Sequence, residues 1–298
     1  MCLFKLAPAL LTISTLALAT MAGAQQTAPP KGSIGAQGPY IGFDANDYPG
    51  DDLLPALRKQ FSFAGYWLNN PPGAGHNPWV GKRDILIRNG FGFLVVANGR
   101  LDEEILKSQR SGKQTAALGR EDASAAVAAA QREGFPAGTI LFLDQEEGGR
   151  MLPEQAGYLI AWTEAVAASA YRPGVYASGQ PVPDGKGPDW RSQTITTIQD
   201  LRARVAAGHL HETAFWVAQD ACPPAPGCVV KPAHPPALDL SGTMDATAWQ
   251  FAQSPRRKSI TQACGATYSS DGNCYAPGAG GYRLDLSVSN SPDPSHGR

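Results

Sequence analysis

Thr139-Ile140-Leu141-Phe142-Leu143-Asp144-Gln145-Glu146-Glu147 decides the reading of this chain. Five apolar or β-branched residues run without interruption into a cluster of carboxylates. An unbroken apolar run of this length marks a strand covered on both faces, as in a parallel sheet, rather than a strand with one wet side. The segments on either side of it show the same alternation. Upstream, Tyr40–Ala45, Phe63–Leu68 and Gly92–Ala97 read as strands. Helical patterns follow them at Asp51–Gln60, just before Asn89-Gly90, and at Glu121–Glu133. Downstream, Pro153–Ala170 carries Ala156, Leu159, Thr163, Val166 and Ala170 at helical spacing, and Gly174–Ala177 reads as a fifth strand. A helix over Thr196–Ala207 then precedes strand candidates Ala214–Gln219, Ala248–Ala252 and Arg283–Val288, with no convincing helix between these last three. The fold class is therefore α/β: a TIM-like (β/α) barrel with about five β/α units and a degenerate last third of three strands. A doubly wound open sheet also alternates this way, but it usually carries a glycine-rich phosphate turn after its first strand. Here that strand runs into Asp44-Ala45-Asn46-Asp47.

The ends of the chain read differently. Met1–Ala24 has Lys5, an apolar stretch from Leu6 to Met21 and a small-residue end Ala22-Gly23-Ala24, the pattern of a cleavable export signal. Pro8, Thr12, Ser14 and Thr15 interrupt the apolar stretch, which is short for a spanning anchor. The expected organisation is a signal peptide over 1–24, a flexible lead-in over 25–39, one barrel domain over 40–290 and a flexible tail over 291–298. That places the mature protein outside the cytoplasm, secreted or periplasmic, and free of the membrane once the signal is removed. Lys plus Arg number 25 against 26 Asp plus Glu, a net charge of -1. This balance excludes the basic footprint of a nucleic-acid binder and any strong attraction to an anionic membrane.

Four cysteines remain after Cys2 leaves with the signal: Cys222 and Cys228, then Cys264 and Cys274. They allow three connectivities, and neighbour pairing is the expectation in an oxidising space. The histidines (His76, His209, His211, His234, His296) are scattered, so neither a metal site nor a cofactor is called for. No Cys-x-x-Cys supports redox chemistry, and no Gly-x-Ser-x-Gly supports a serine hydrolase.

In a barrel, functional groups gather at the C-terminal ends of the strands. Asp44, Trp67, Asn69, Asp144, Glu146, Tyr176 and Gln219 fall at such ends, while Trp249 and Gln250 lie on the seventh strand and Asp285 on the eighth. Within the fourth strand, Asp144 and Glu146 lie two apart, so both project to one side, roughly 6–7 Å apart along the backbone. Glu147 points away. Two crowded carboxyls titrate apart, one keeping its proton and one staying ionised. Glycoside hydrolysis needs that division between an acid at the leaving oxygen and a negative group near the charged centre. A solvated acidic turn before a helix is the competing reading. The apolar strand that aims the pair argues against it. The other acidic run, Asp102-Glu103-Glu104, has no such strand behind it and reads as a solvated helix start.

Six short motifs occur in order: Ile41-Gly42-Phe43-Asp44, Asp144-x-Glu146, Pro173-Gly174-Val175-Tyr176, Phe215-Trp216-Val217-Ala218-Gln219, Trp249-Gln250-Phe251 and Leu284-Asp285-Leu286. In this series the chain resembles the glycoside hydrolase family 25 lysozymes, and still more a related glycoside-hydrolase-like domain family of unknown function, over roughly Tyr40 to Ser289. The resemblance implies that Glu146 is the general acid. It implies that Asp144 stabilises charge or orients a substrate acetamido group, and that Asp44 and Asp285 are supporting carboxylates. Trp67, Tyr176 and Trp249 would stack on sugar faces, with Asn69, Gln219 and Gln250 lining the same groove. The chain departs from the lysozymes after Asp44, where Ala45-Asn46-Asp47 replaces a hydroxyl and an aromatic residue, and after Leu286, where Ser287 replaces Asn. Two functions follow as expectations. One is an exported monomeric hydrolase of a β-1,4-linked amino-sugar polymer such as peptidoglycan. The other is a non-catalytic module that binds the same cell-wall polysaccharide.

Overall fold

The computed structural model describes residues 38–184, 193–219, 235–253 and 284–298. The expected export signal over 1–24, residues 25–37 of the expected lead-in, and Cys222, Cys228, Cys264 and Cys274 lie outside the described residues. Gln37–Arg298 forms one compact unit.

Ten strands are described: β1 (Tyr40–Asp44), β2 (Phe63–Trp67), β3 (Gly92–Asn98), β4 (Ile140–Gln145), β5 (Arg172–Ser178), β6 (Val182–Pro183), β7 (Thr194–Ile195), β8 (Ala214–Ala218), β9 (Ala246–Ala252) and β10 (Asp285–Ser289). Six helices accompany them: α1 (Leu54–Arg58), α2 (Arg83–Arg88), α3 (Asp102–Arg110), α4 (Thr115–Arg132), α5 (Pro153–Ala167) and α6 (Thr197–Gly208). Eight strands close into a barrel in the order β1-β2-β3-β4-β5-β8-β9-β10, while β6 and β7 form a separate hairpin between β5 and α6. The expected α/β barrel is the observed fold. Strand β10 runs antiparallel to both of its neighbours, β9 and β1, and the other barrel pairs are parallel. Antiparallel pairing needs no crossover helix, in keeping with the lack of a helical pattern between β9 and β10.

Strand alternation sorts the side chains into two layers. Ile140 and Phe142 of β4 face into the barrel, where a Cβ on Gly174 of β5 would come within 2.8 Å of both side chains. Phe142 meets Trp216 of β8 at 5.9 Å, and Trp216 meets Tyr176 of β5 at 4.8 Å. On the outer layer Tyr66 packs edge-on against Trp79, Phe93 and Phe135, and Phe43 packs against Phe61 and Phe91.

Two elements differ from expectation for clear physical reasons. Helix α4 begins at Thr115, not Glu121, and runs straight through Gly119. A Cβ there would stand 2.2 Å from the carbonyl oxygen of Tyr158 on α5, so Gly119 lets two helices pack closely instead of breaking one. The second difference is the segment 291–298, expected to be a flexible tail and built instead into the floor of the barrel. Ser295 N–H donates to Phe93 O (2.8 Å), Ser295 O accepts from Ile140 N–H (2.8 Å), and Ser295 Oγ accepts from Val95 N–H (2.9 Å). Asp293 Oδ1 accepts from Phe93 N–H, His296 O accepts from Thr139 Oγ1, and Gly297 O accepts from Arg83. Backbone groups at the N-terminal ends of β3 and β4 would otherwise lack partners, and a buried unpaired backbone group is costly. A polar segment meets that need without any hydrophobic periodicity.

Candidate active site

Strand register gathers the candidate groups at the C-terminal mouth. Asp144 of β4 lies opposite Asn98 of β3 and Tyr176 of β5, and Asp44 of β1 lies opposite Asp285 of β10. Room for Asp44 is made by Gly65 on β2, where a Cβ would fall 2.5 Å from the Asp44 Cβ. Gln250 of β9 ties the two sides together. Its Nε2 donates to both oxygens of Asp44 at 3.1 Å, and its Oε1 accepts from Tyr176 Oη at 2.7 Å and from Gln253 Nε2 at 3.1 Å. The Tyr176 hydroxyl is held well above its ordinary pKa, first by burial and then by the charges of Asp144, Asp44 and Asp285. Three of the four candidate carboxylates therefore surround one phenol.

Asp144 is the electrostatic centre of this group. It is 5% exposed, and its Oδ1 is buried without a hydrogen-bond partner among the described residues. Burial drives its pKa well above the ordinary carboxylate value, and the charges of Glu146 and Glu147 push in the same direction. An unsatisfied buried carboxyl is an expensive feature that a fold keeps at a functional site. Glu146, two residues on, is exposed at the mouth, beyond the end of β4. Glu147 turns away, as its parity predicts: its carboxylate accepts from the Asp102 N–H at the start of α3 (2.7 Å) and from Gln145 Nε2 (2.6 Å). Asp102, Glu103 and Glu104 form the first turn of α3, the helix start that the sequence indicated.

The remaining candidates are distributed unevenly. Trp67 sits at the top of β2, almost buried, with its Nε1 donating to Ala45 O at 3.1 Å. Asn69 uses both ends of its amide on the backbone of Asn98, at 3.0 and 2.7 Å. Gln219 follows β8, its N–H donating to Gln250 O at 3.1 Å, and its Oε1 is another buried acceptor without a partner among the described residues. Trp249 is separated from the group. It occupies the face of β9 opposite Gln250, packs on Phe251 at 5.7 Å, donates from Nε1 to Gln219 O at 2.8 Å and is 2% exposed. The expectation that it stacks on a sugar is corrected on that ground: adjacent residues of a strand face opposite ways. Asn98, beside Asp144, went unnoticed in the sequence, although its position at the end of the third strand is the same signal that marked the others. Among the described residues no three His, Cys, Asp or Glu side chains are arranged to hold a metal ion.

Several solved structures resemble the chain at low sequence identity. An uncharacterized B. stearothermophilus protein is 19% identical, covering 84% of this chain and 95% of its own, with a TM-score of 0.47. The Mycobacterium tuberculosis Tat-secreted protein Rv2525c, solved with L-tartrate, is 14% identical over 84% of this chain and 94% of its own, with a TM-score of 0.46. The catalytic domain of endolysin ply40 from the Listeria monocytogenes bacteriophage P40 is 15% identical over 88% and 99%, with a TM-score of 0.44. No curated protein matches the sequence. The family model of the Rv2525c-like, glycoside hydrolase-like domain matches residues 70–237, more than half of the chain and the part that contains Asn98, Asp144, Glu146 and Tyr176. By that match the chain belongs to the Rv2525c-like, glycoside hydrolase-like domain family.

Proposed function

We propose that this protein is an exported glycosidase that cleaves a β-1,4-linked amino-sugar polymer, peptidoglycan foremost, by general acid catalysis from Glu146 with Asp144 as its partner. The observation that carries the reading is the buried Asp144 carboxyl at the mouth of a closed barrel, its Oδ1 without a hydrogen-bond partner among the described residues, two residues before a solvent-accessible Glu146. In the free protein burial favours the protonated form of Asp144. An acetamido N–H donated to Asp144 Oδ1 stabilises its ionised form, and substrate covering Glu146 disfavours charge there. Glu146 is the acid that hands a proton to the leaving glycosidic oxygen. The acetamido oxygen, oriented by Asp144, attacks the anomeric carbon as the bond to the leaving oxygen breaks. Glu146 then takes a proton from water as the water oxygen bonds to the anomeric carbon, the bond to the acetamido oxygen breaks and the acetamido group is restored. Asp44, held by Gln250, and Asp285 supply negative potential for the oxocarbenium-like centre. Trp67, Asn69, Tyr176, Gln219 and Gln250 line the groove in this reading.

The export reading rests on the Lys5–Ala24 pattern. Among the described residues no helix is long and apolar enough to cross a membrane.

The test is release of reducing ends from purified peptidoglycan and from chitin by the mature protein, beside the Glu146→Gln variant. Release by wild type alone supports the assignment. Equal release by the variant sinks it. Saturable binding to the polymer with no release from wild type at any pH would leave a glycan-binding module in its place.

A further inference from the structure

Glu146 opens the connection from β4 to α5, Glu146–Leu152, which contains the adjacent glycines Gly148 and Gly149. Gly149 has φ +88, a conformation that other residues rarely adopt, and a Cβ there would lie 2.7 Å from Val182 of the hairpin. Two glycines in succession leave a backbone with much freedom to lose. Its order must come from bonds to other parts of the fold.

Those bonds stand on both sides of the glycine pair. Before it, Glu147 is fastened to the start of α3. After it, Arg150 bridges two carboxylates from different elements. Its Nε and Nη2 donate to Asp184, beside β6, at 2.8 and 2.6 Å, and its Nη1 donates to Asp200 of α6 at 2.9 Å. Asp200 is 2% exposed. Its second oxygen accepts from the Met151 N–H at 3.1 Å and from Arg204 Nε at 2.9 Å, while Arg204 Nη2 also donates to Met151 O at 3.2 Å. A buried carboxylate on one β/α unit is thus committed to the backbone and to the arginine of another unit's loop. An exposed ion pair alone contributes little, but here the acceptor is buried and the bonds are charge-assisted and partly bidentate.

We infer that Asp200, acting through Arg150 and the Met151 N–H, is a positioning residue that holds Glu146 in register with Asp144. The inference rests on the hydrolase reading above. It assigns to the Arg150–Asp200 clamp a role in the reaction rather than in folding alone. Proton transfer demands close placement of the acid, and a misplacement of about 1 Å costs up to roughly a hundredfold in rate. Substrate binding depends on the groove and not on the clamp, so the loss falls on kcat.

The deciding experiment uses the full mature protein and Arg150→Met, which keeps the apolar stem, removes the guanidinium and touches an exposed side chain. Asp200→Asn serves as a second variant where it folds. Steady-state kinetics on solubilised peptidoglycan are read beside hydrogen exchange of the peptide covering 145–152. The expected result is a kcat about ten- to a hundredfold lower with KM within about twofold, and faster exchange confined to that peptide. Arg150→Lys, able to reach one carboxylate at a time, recovers part of the rate. Unchanged kcat in Arg150→Met, with an active wild type, overturns the clamp while leaving the hydrolase reading standing. A fall in KM-related binding equal to the fall in kcat assigns the clamp to the groove and also overturns it. An inactive wild type removes the hydrolase reading itself and the positioning role with it.

Discussion

Replacing Asp144 by an asparagine isolates the cost of keeping a carboxyl in the barrel mouth. The two side chains are nearly the same shape, but only one can ionise. Asp144 Oδ1 is buried and unpartnered among the described residues, and a buried polar group without its hydrogen bond costs about 1–3 kcal/mol, more once charged. The folded-state pKa of Asp144 is raised by burial and then by Glu146 and Glu147, whereas the unfolded chain titrates near the ordinary value of about 3.9. Below that value both states carry the proton, and Asp144 lends its full stability. As pH rises toward the folded-state pKa the unfolded chain releases the proton first, so wild type loses stability through that window and stays penalised above it. The amide variant has no such window. The stability difference, variant minus wild type, should therefore be flat at low pH and grow in favour of Asp144→Asn by about 1–3 kcal/mol or more toward neutral and alkaline pH. Each kcal/mol moves Tm by about 2–4 °C in a domain of this size. The amide's own donors add a constant offset, which does not alter the slope. Urea unfolding of both proteins between about pH 4 and 8.5, a range that starts near the unfolded-state value, measures it by tryptophan fluorescence. In a Glu146→Gln background the slope should shrink, because the second cause of the shift is gone. Parallel curves, or a wild type that gains on the variant as pH rises, would refute the claim that Asp144 is held protonated by its surroundings.

Ser295→Ala removes the acceptor of the buried Val95 N–H and should lower stability by about 1–3 kcal/mol, read as a shifted urea midpoint; a midpoint unchanged within error means that 291–298 is not a structural part of the barrel floor. Trp249→Ala should cost about 3–5 kcal/mol as a large buried side chain, yet retain glycan at temperatures where both proteins are folded; a selective loss of binding would return Trp249 to the groove.

The site was partly legible before the fold. The apolar run ending at Asp144 and the two-residue spacing to Glu146 carry a period that strand geometry turns directly into direction. The same parity placed Glu147 on the other side, where it now meets α3. Parity also spoke against Trp249 once Gln250 was assigned inward, because neighbours on a strand cannot both face the barrel. Asn98 carried the strand-end signal but no charge or ring to draw notice. Asp200 carried no local signal at all. It sits in the first turn of α6, where an acidic residue is ordinary, and only the packing of α6 against the loop after β4 brings it to Arg150 and Met151.

Local pattern sufficed for the alternation of strands and helices, the barrel class and the carboxylate pair, because hydrophobic period and strand parity belong to short stretches of chain. Long-range contacts settled the other features. Barrel closure brought Asp44, Asp144, Asp285 and Tyr176 around one mouth and reversed β10. The close approach of α4 to α5 made Gly119 a packing requirement inside a helix that starts at Thr115. Unpaired N–H and C=O groups at the strand bases drew a polar tail into the floor. Each of these depends on which distant groups meet, and on the cost of leaving a buried polar group or a close contact unresolved, neither of which is written in any local pattern.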